Sequence, residues 1–273
     1  MLSNSGLGQF VRVCRTSFTC PKTMVRAVYI SELIRNNNGI KLDKYLFEKI
    51  PFFYREPSQI QKSFEDELFF TPIIDTLNRL PDALSFIESH FCEITAGVFA
   101  EEVIGLKKLY SKLSLLTTQN GNANKMDLVL YKPLSDPVEF VFVEVKSSMK
   151  TSADGLPANH DKSCFADIFN SLNEYSTVDR DFDLGAAKDR IEGLSEPERT
   201  RVRKALLPYS NSKIHYVGFA IIDLSTKLDD EISILATRKN KKKIEIDVLC
   251  IEEIPDLAKS VYDKIDQVRK SCL

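Results

Sequence analysis

The stretch VEFVFVEVKSS at 138–148 constrains the fold of this chain more than any other. Its β-branched and aromatic residues predict a strand that crosses the protein interior. Side chains alternate along a strand, so Glu144 and Lys146 share one face with two phenylalanines, while three valines occupy the other. The acid and the base form either an ion pair on an exposed strand or part of a metal site. The phenylalanines on the same face argue against full exposure.

The composition is that of a soluble globular protein, with 43% hydrophobic and 28% charged residues. The net charge of −2 excludes a protein coated in positive charge but permits a local basic groove. Six scattered cysteines without a C-x-x-C pair, together with three histidines, make a zinc cluster improbable. Without an apolar signal core or a run of 18 apolar residues, the sequence predicts reduced thiols, a cytoplasmic location and no membrane span.

The chain divides into two predicted parts. Residues 1–85 mix short apolar runs with breakers and predict an N-terminal α+β extension. Residues 86–273 predict the core, because helix, strand, strand, helix, strand, strand and helix follow in order. That order favours an α/β fold with a mixed central sheet flanked by helices. The first 31 residues contain no acid; a loose N-terminal arm is favoured over an organellar transit peptide.

Hydrophobic spacing predicts the elements of the core. One or two helices are expected over 83–113, where Phe99, Val103, Leu106 and Tyr110 would form one stripe. A hairpin is expected from the strands at 125–132 and 138–148. The later elements are predicted at 163–176 and 184–206 for helices, 213–224 and 243–254 for strands, and 255–271 for the last helix.

Two further acids are candidates for a site beside Glu144. Asp127 begins the first hairpin strand, and strand pairing would bring it close to Glu144; it could equally be an acid at a solvent edge. Carboxylate oxygens at one end of a sheet are hard ligands suited to Mg²⁺ or Mn²⁺. Glu102 lies beside the apolar stripe of the upstream helix, where a buried charge needs a partner. A surface position for Glu102 stays equally open.

Two residue patterns resemble a known family. Asp127, sixteen residues and then Glu144-x-Lys146 follow the pattern of the PD-(D/E)xK nuclease superfamily, although Met126 stands where proline is usual. The segments ITAGVFAEEVIGLKKLY, NGNANKMDLVLY and FVFVEVKSS look like the HamA family of the Hachiman anti-phage system. This resemblance covers roughly residues 86–175.

The resemblance implies a restriction-endonuclease-like core and a Mg²⁺- or Mn²⁺-dependent endodeoxyribonuclease. Asp127, Glu144 and the backbone carbonyl of Val145 would bind the metal, and Lys146 would orient the attacking water. Glu102 would bind or position a second cation or its waters. The expected partners are DNA and a HamB-like helicase. The alternatives are a stand-alone restriction or repair endonuclease, and a non-catalytic scaffold for a helicase.

Two basic stretches, RKNKKK at 238–243 and RTRVRK at 199–204, raise the question of nucleic-acid contact. A solvated hairpin turn explains the first, and a charged outer helix face explains the second. Both of these interpretations are favoured over contact with DNA.

Overall fold

The structure is a computed structural model. It describes residues 5–18, 25–55, 76, 77, 79–116, 126–148, 164–226, 228, 232, 235 and 242–272. Three predicted features lie wholly or largely outside these residues. They are the Asn-rich turn before Asp127, the polar loop after Ser148 and most of the basic stretch at 238–243.

A seven-stranded mixed sheet forms the centre of the molecule, in the order β1-β2-β9-β8-β7-β6-β5. Its strands are β1 (Val11–Phe18), β2 (Val25–Leu33), β5 (Lys107–Ser111), β6 (Leu128–Tyr131), β7 (Glu139–Ser148), β8 (Lys213–Asp223) and β9 (Ile244–Ile251). Strands β2, β9, β8 and β7 run parallel, and the outer pairs are antiparallel. A separate short hairpin joins β3 (Asn36–Asn37) to β4 (Ile40–Lys41).

Helices cover both faces of this sheet. In chain order they are α1 (Leu42–Lys49), α2 (Pro51–Tyr54), α3 (Leu84–Glu102), α4 (Cys164–Glu174), α5 (Thr177–Lys188), α6 (Glu196–Leu206) and α7 (Ile254–Cys272). The first three and the last pack in one hydrophobic core, and α4 to α6 pack in the other. The predicted α/β fold with a mixed central sheet flanked by helices is confirmed.

Strand β7 is buried on both faces, as its nearly continuous apolar sequence requires. Val141 and Val143 belong to the core under α3, whereas Phe140 and Phe142 belong to the core under α4. The predicted alternation therefore holds along the strand. It places β7 in the interior of the sheet, with β8 on one side and β6 on the other.

The N-terminal part of the chain contributes to this same sheet. Strand β2 pairs in parallel with β9, and α1 packs against α7. Leu33 and Leu42 lie in the same core as the valines of β7. The division into residues 1–85 and 86–273 stays a prediction, but the described residues of the first part share the sheet and core of the second.

The predicted helical region at 83–113 is corrected by the structure. Helix α3 stops at Glu102, and residues from Lys107 onward form strand β5. Gly105 ends the helix because it adopts a φ of +81°, in the left-handed region. Leu106 and Tyr110 therefore lie outside the helix, and the predicted four-residue stripe does not form.

None of the helices in the described residues combines the length and hydrophobicity that crossing a membrane requires.

Candidate active site

Asp127 and Glu144 lie opposite each other at one end of the β6–β7 hairpin. Leu128 pairs with Val143, so the residue before β6 lies across from Glu144. The N–H of Val145 donates to Oδ2 of Asp127 at 2.6 Å. Asp127 is 3% exposed and Glu144 is 8% exposed. The structure thus brings these two predicted site residues together as neighbouring buried carboxylates.

Lys146 joins the pair from the same strand. Its Nζ lies 2.6 Å from Oε1 of Glu144. Burial raises the pKa of Glu144, and the nearby Asp127 carboxylate raises it further against the opposing effect of Lys146. Burial alone would lower the pKa of Lys146, but the Glu144 carboxylate leaves it raised. The Lys146 side chain stays 34% exposed, so part of it is within reach of a ligand from solvent.

Two residues that the sequence patterns did not single out complete the cluster. Lys112 directly follows β5, and its N–H donates to the Asp127 carbonyl at 2.8 Å. Its Nζ forms an ion pair with Oδ1 of Asp127 and lies 3.3 Å from Oε1 of Glu93. Glu93 belongs to α3, which packs on β7. The cluster therefore holds three carboxylates and two ammonium groups.

Burial places the Glu93 carboxylate in an environment that disfavours its charged form. Burial raises its pKa to about 8, and the Asp127 carboxylate adds to the rise. Its Oε2 is buried and accepts no hydrogen bond from any residue that the structure describes. Buried polar atoms are normally paired, so an unpaired carboxylate oxygen calls for a ligand. It is the kind of oxygen donor that a hard cation prefers.

The sequence did contain a signal for Glu93. It is a charged residue inside a helical stretch, 90–100, in which every residue is buried. The acid predicted for the site from this helix was Glu102 instead. The sequence carries no comparable signal for Lys112, because hydrophobic spacing predicts a helix where the structure has β5.

The structure does not bring Glu102 into the cluster. Its Oε1 lies 2.7 Å from Nζ of Lys49, and its Oε2 accepts hydrogen bonds from the Tyr45 hydroxyl at 2.5 Å and the Leu7 N–H at 2.6 Å. Nine residues separate it from Glu93, which is about 13.5 Å along the helix and half a turn around it. Glu102 joins α3 to the N-terminal segment.

A buried aspartate supports the segment that leads into β6. Oδ1 of Asp183, on α5, accepts a hydrogen bond from Tyr110 at 2.6 Å, and its Oδ2 accepts one from Tyr175 at 2.5 Å. The same Oδ2 accepts the N–H of Met126 at 3.3 Å. Met126 directly precedes Asp127, so Asp183 fixes the backbone from which that carboxylate projects.

The donor chemistry of the cluster fits a divalent cation. Carboxylate oxygens come from Asp127, Glu144 and Glu93. Of these, Oε2 of Glu93 has no hydrogen-bond partner among the described residues. The N–H of Val145 points toward Asp127, and its carbonyl points to the same edge of β7 because N–H and C=O of a strand residue share a direction. Among the described residues, His, Cys, Asp and Glu side chains form no ready group of three metal ligands, so a cation here would be held by two carboxylates together with this backbone carbonyl.

The basic stretch at 199–204 lies on α6 and is largely engaged within the protein. Arg199 lies 2.8 Å from Glu192, and Arg203 lies 2.7 Å from the same side chain. Arg201 donates to the backbone carbonyls of Pro133 and Ser135. These contacts agree with the interpretation of α6 as a charged outer face.

Comparison with known proteins identifies the family. No curated protein matches the chain. The profile of the HamA family matches residues 15–265, which is most of the chain and includes every residue of the cluster. The chain therefore belongs to the HamA family, part of the Hachiman anti-phage defence system.

Proposed function

We propose that this protein is a metal-dependent DNA nuclease that serves as the effector of a defence complex. One observation carries the proposal: Asp127, Glu144 and Lys146 converge at the end of two adjacent strands. Both carboxylates are buried there, whereas the Lys146 side chain is partly exposed. Burial and the neighbouring Asp127 carboxylate raise the pKa of Glu144, and a buried acid perturbed in this way beside a second acid and a lysine is a candidate for catalysis.

The residues that would hold Mg²⁺ or Mn²⁺ are Asp127, Glu144 and the backbone carbonyl of Val145. Glu93 would add its unpaired Oε2 as a ligand or as an acceptor for metal-bound water, the role first predicted for Glu102. When bound, such a cation polarises a phosphate and lowers the pKa of a coordinated water.

The remaining chemistry belongs to the side chains. Lys146 would orient the attacking water and offset the negative charge that builds on the phosphate. Its partial exposure supports contact with a phosphodiester arriving from solvent. Asp183, on α5, would keep Asp127 in place by accepting the N–H of Met126.

Membership of a defence-system family supports a partner for this chain. The proposed partner is a HamB-like helicase that restrains the nuclease until foreign or damaged DNA is sensed. The proposed substrate is DNA.

Plasmid cleavage by the purified protein, alone and with a HamB-like helicase, tests this function in Mg²⁺ or Mn²⁺. Glu144→Ala and Lys146→Ala should each abolish cutting while the protein stays folded. Glu139→Ala and Lys132→Ala are matched controls. These two residues form an ion pair at the opposite end of β7, with Nζ of Lys132 3.0 Å from Oε2 of Glu139. Both controls should cut at the wild-type rate.

Two outcomes would count against the proposal. If Glu144→Ala and Lys146→Ala both cut as fast as the wild type, the site assignment is wrong. If the wild-type protein with its helicase cuts no DNA in either metal, the alternative of a non-catalytic scaffold is supported instead.

A further inference from the structure

Lys112 is held more tightly than an ordinary lysine in an ion pair. Its main-chain N–H donates to the carbonyl of Asp127, and its Nζ contacts the carboxylate of the same residue. The side chain is 16% exposed, about half the value for Lys146. Ser111 caps the short turn that begins at Lys112 by accepting the N–H of Leu113. Lys112 is therefore fixed at both ends beside Asp127.

The two lysines of the cluster differ in what they contact. Lys146 pairs with Glu144 and reaches solvent. Lys112 instead lies between Glu93 and Asp127, where its ammonium compensates two carboxylates that come from different elements. Its position is that of an internal cation, since it neutralises the acids that would otherwise repel each other.

The contacts of Asp127 show what this arrangement implies for a metal. One carboxylate oxygen accepts the N–H of Val145, and the other is paired with Lys112. A divalent cation that binds Asp127 must share the second oxygen with the ammonium or displace it. The cation and the ammonium also repel each other across a buried site, where solvent screens charges weakly. The unpaired Oε2 of Glu93 adds a donor beside the same lysine.

We propose that Lys112 is a resident cation that competes with the divalent metal for Asp127 and Glu93 and so sets the metal affinity of the site. This inference rests on the proposed function, because it assumes that the acids bind a metal. The two lysines of the cluster then have different roles. Lys146 acts on the substrate, whereas Lys112 is a positioning residue that holds the acids and limits metal binding.

Mn²⁺ binding to the full-length protein tests this competition without a cleavage assay. Titration calorimetry and the electron paramagnetic resonance signal of free Mn²⁺ both give the dissociation constant. Lys112→Met should bind Mn²⁺ at least ten-fold more tightly than the wild type, because the competing charge is gone. Lys112→Arg keeps the charge and should bind within about three-fold of the wild type.

Lys49→Met is the matched control for the lost charge. Lys49, the last residue of α1, pairs with Glu102, which lies on the same helix as Glu93 but outside the cluster. This variant should bind Mn²⁺ within about two-fold of the wild type. Lys112→Gln provides a second neutral variant that can still donate to Asp127, in case Lys112→Met does not fold. It should also bind more tightly.

The outcomes separate the inference from the function it rests on. If the wild type binds Mn²⁺ and both neutral variants that fold bind it equally or more weakly, Lys112 does not compete and this inference is overturned. If neither the wild type nor any variant binds Mn²⁺, the proposed metal site itself is wrong, and the inference falls with it. The unfolding temperature gives a second measurement. If Lys112 competes with the metal, adding Mn²⁺ to EDTA-treated protein should raise the unfolding temperature more in Lys112→Met than in the wild type.

Discussion

Two of the glutamates on helix α3, Glu93 and Glu102, have opposite surroundings. Glu102 has a partner for each oxygen, and although burial raises its pKa, Lys49, Tyr45 and the Leu7 N–H leave it lowered. Burial raises the pKa of Glu93 to about 8, and one of its oxygens has no partner among the described residues. Glu102 thus stabilises the fold at the C-terminal end of the helix. Glu93, nine residues earlier, has a pKa raised by burial, as is typical of acids at functional sites.

The largest expected difference between these glutamates is in DNA cleavage. Glu93→Gln replaces a carboxylate of the acid cluster by an amide, a weaker ligand for a hard cation, and should lower the rate about 100-fold. Glu102→Gln should stay within about three-fold of the wild type, since its carboxylate contacts the N-terminal segment instead. Single-turnover cleavage of a labelled duplex measures both. The reverse ranking would return Glu102 to the site, as the sequence first predicted.

A second difference concerns Gly6, which lies against Glu102. Gly6 has a φ of +62°, and a Cβ there would lie 2.6 Å from Oε2 of Glu102. Gly6→Ala should lower the free energy of unfolding by about 2–3 kcal/mol, because it adds a clash to the backbone penalty. Urea unfolding measures the change.

Gly39→Ala is the matched control for Gly6→Ala. Gly39 has a φ of +84° with no atom within 4 Å of an added Cβ. It should lose only the backbone penalty, about 1 kcal/mol. Equal losses for the two variants would mean that contact with Glu102 contributes nothing to the stability of this junction.

The smallest expected effect is the pH dependence that Glu102 confers. Its folded-state pKa is lowered, so its stabilisation is present above its ordinary pKa of 4.5 and is lost as the pH falls through the folded value. Glu102→Gln should therefore be less stable than the wild type by about 1–2 kcal/mol at pH 7. The difference should shrink as the pH falls below 4.5. Unfolding curves from pH 7 to pH 3 test this, and a constant difference would contradict it.

Local patterns were enough to predict the centre of the sheet. Alternation and β propensity located β7 and its hairpin with β6, and they placed Asp127 across from Glu144. This succeeded because a strand buried on both faces leaves little freedom in how its side chains are distributed. The pairing register of a hairpin then follows from short-range contacts.

The rest of the site depends on long-range packing that local patterns do not encode. Glu93 faces the cluster only because α3 packs on β7 in one orientation. Lys112 reaches Asp127 because β5 pairs with β6, whereas its sequence is compatible with helical spacing. The pairing of β2 with β9 joins segments that are far apart in the sequence, and nothing in the residues of either strand indicates that it pairs with the other.

That last pairing has a consequence for synthesis of the protein. Strand β2 ends at Leu33, but the neighbour to which it is hydrogen-bonded begins only at Ile244. The sheet therefore cannot close until nearly all of the chain has left the ribosome, and contacts this distant form late in folding. A nascent chain released before Ile244 has no β9 to link the β1–β2 hairpin to β8. Translation that stops before Ile244 therefore leaves the central sheet incomplete.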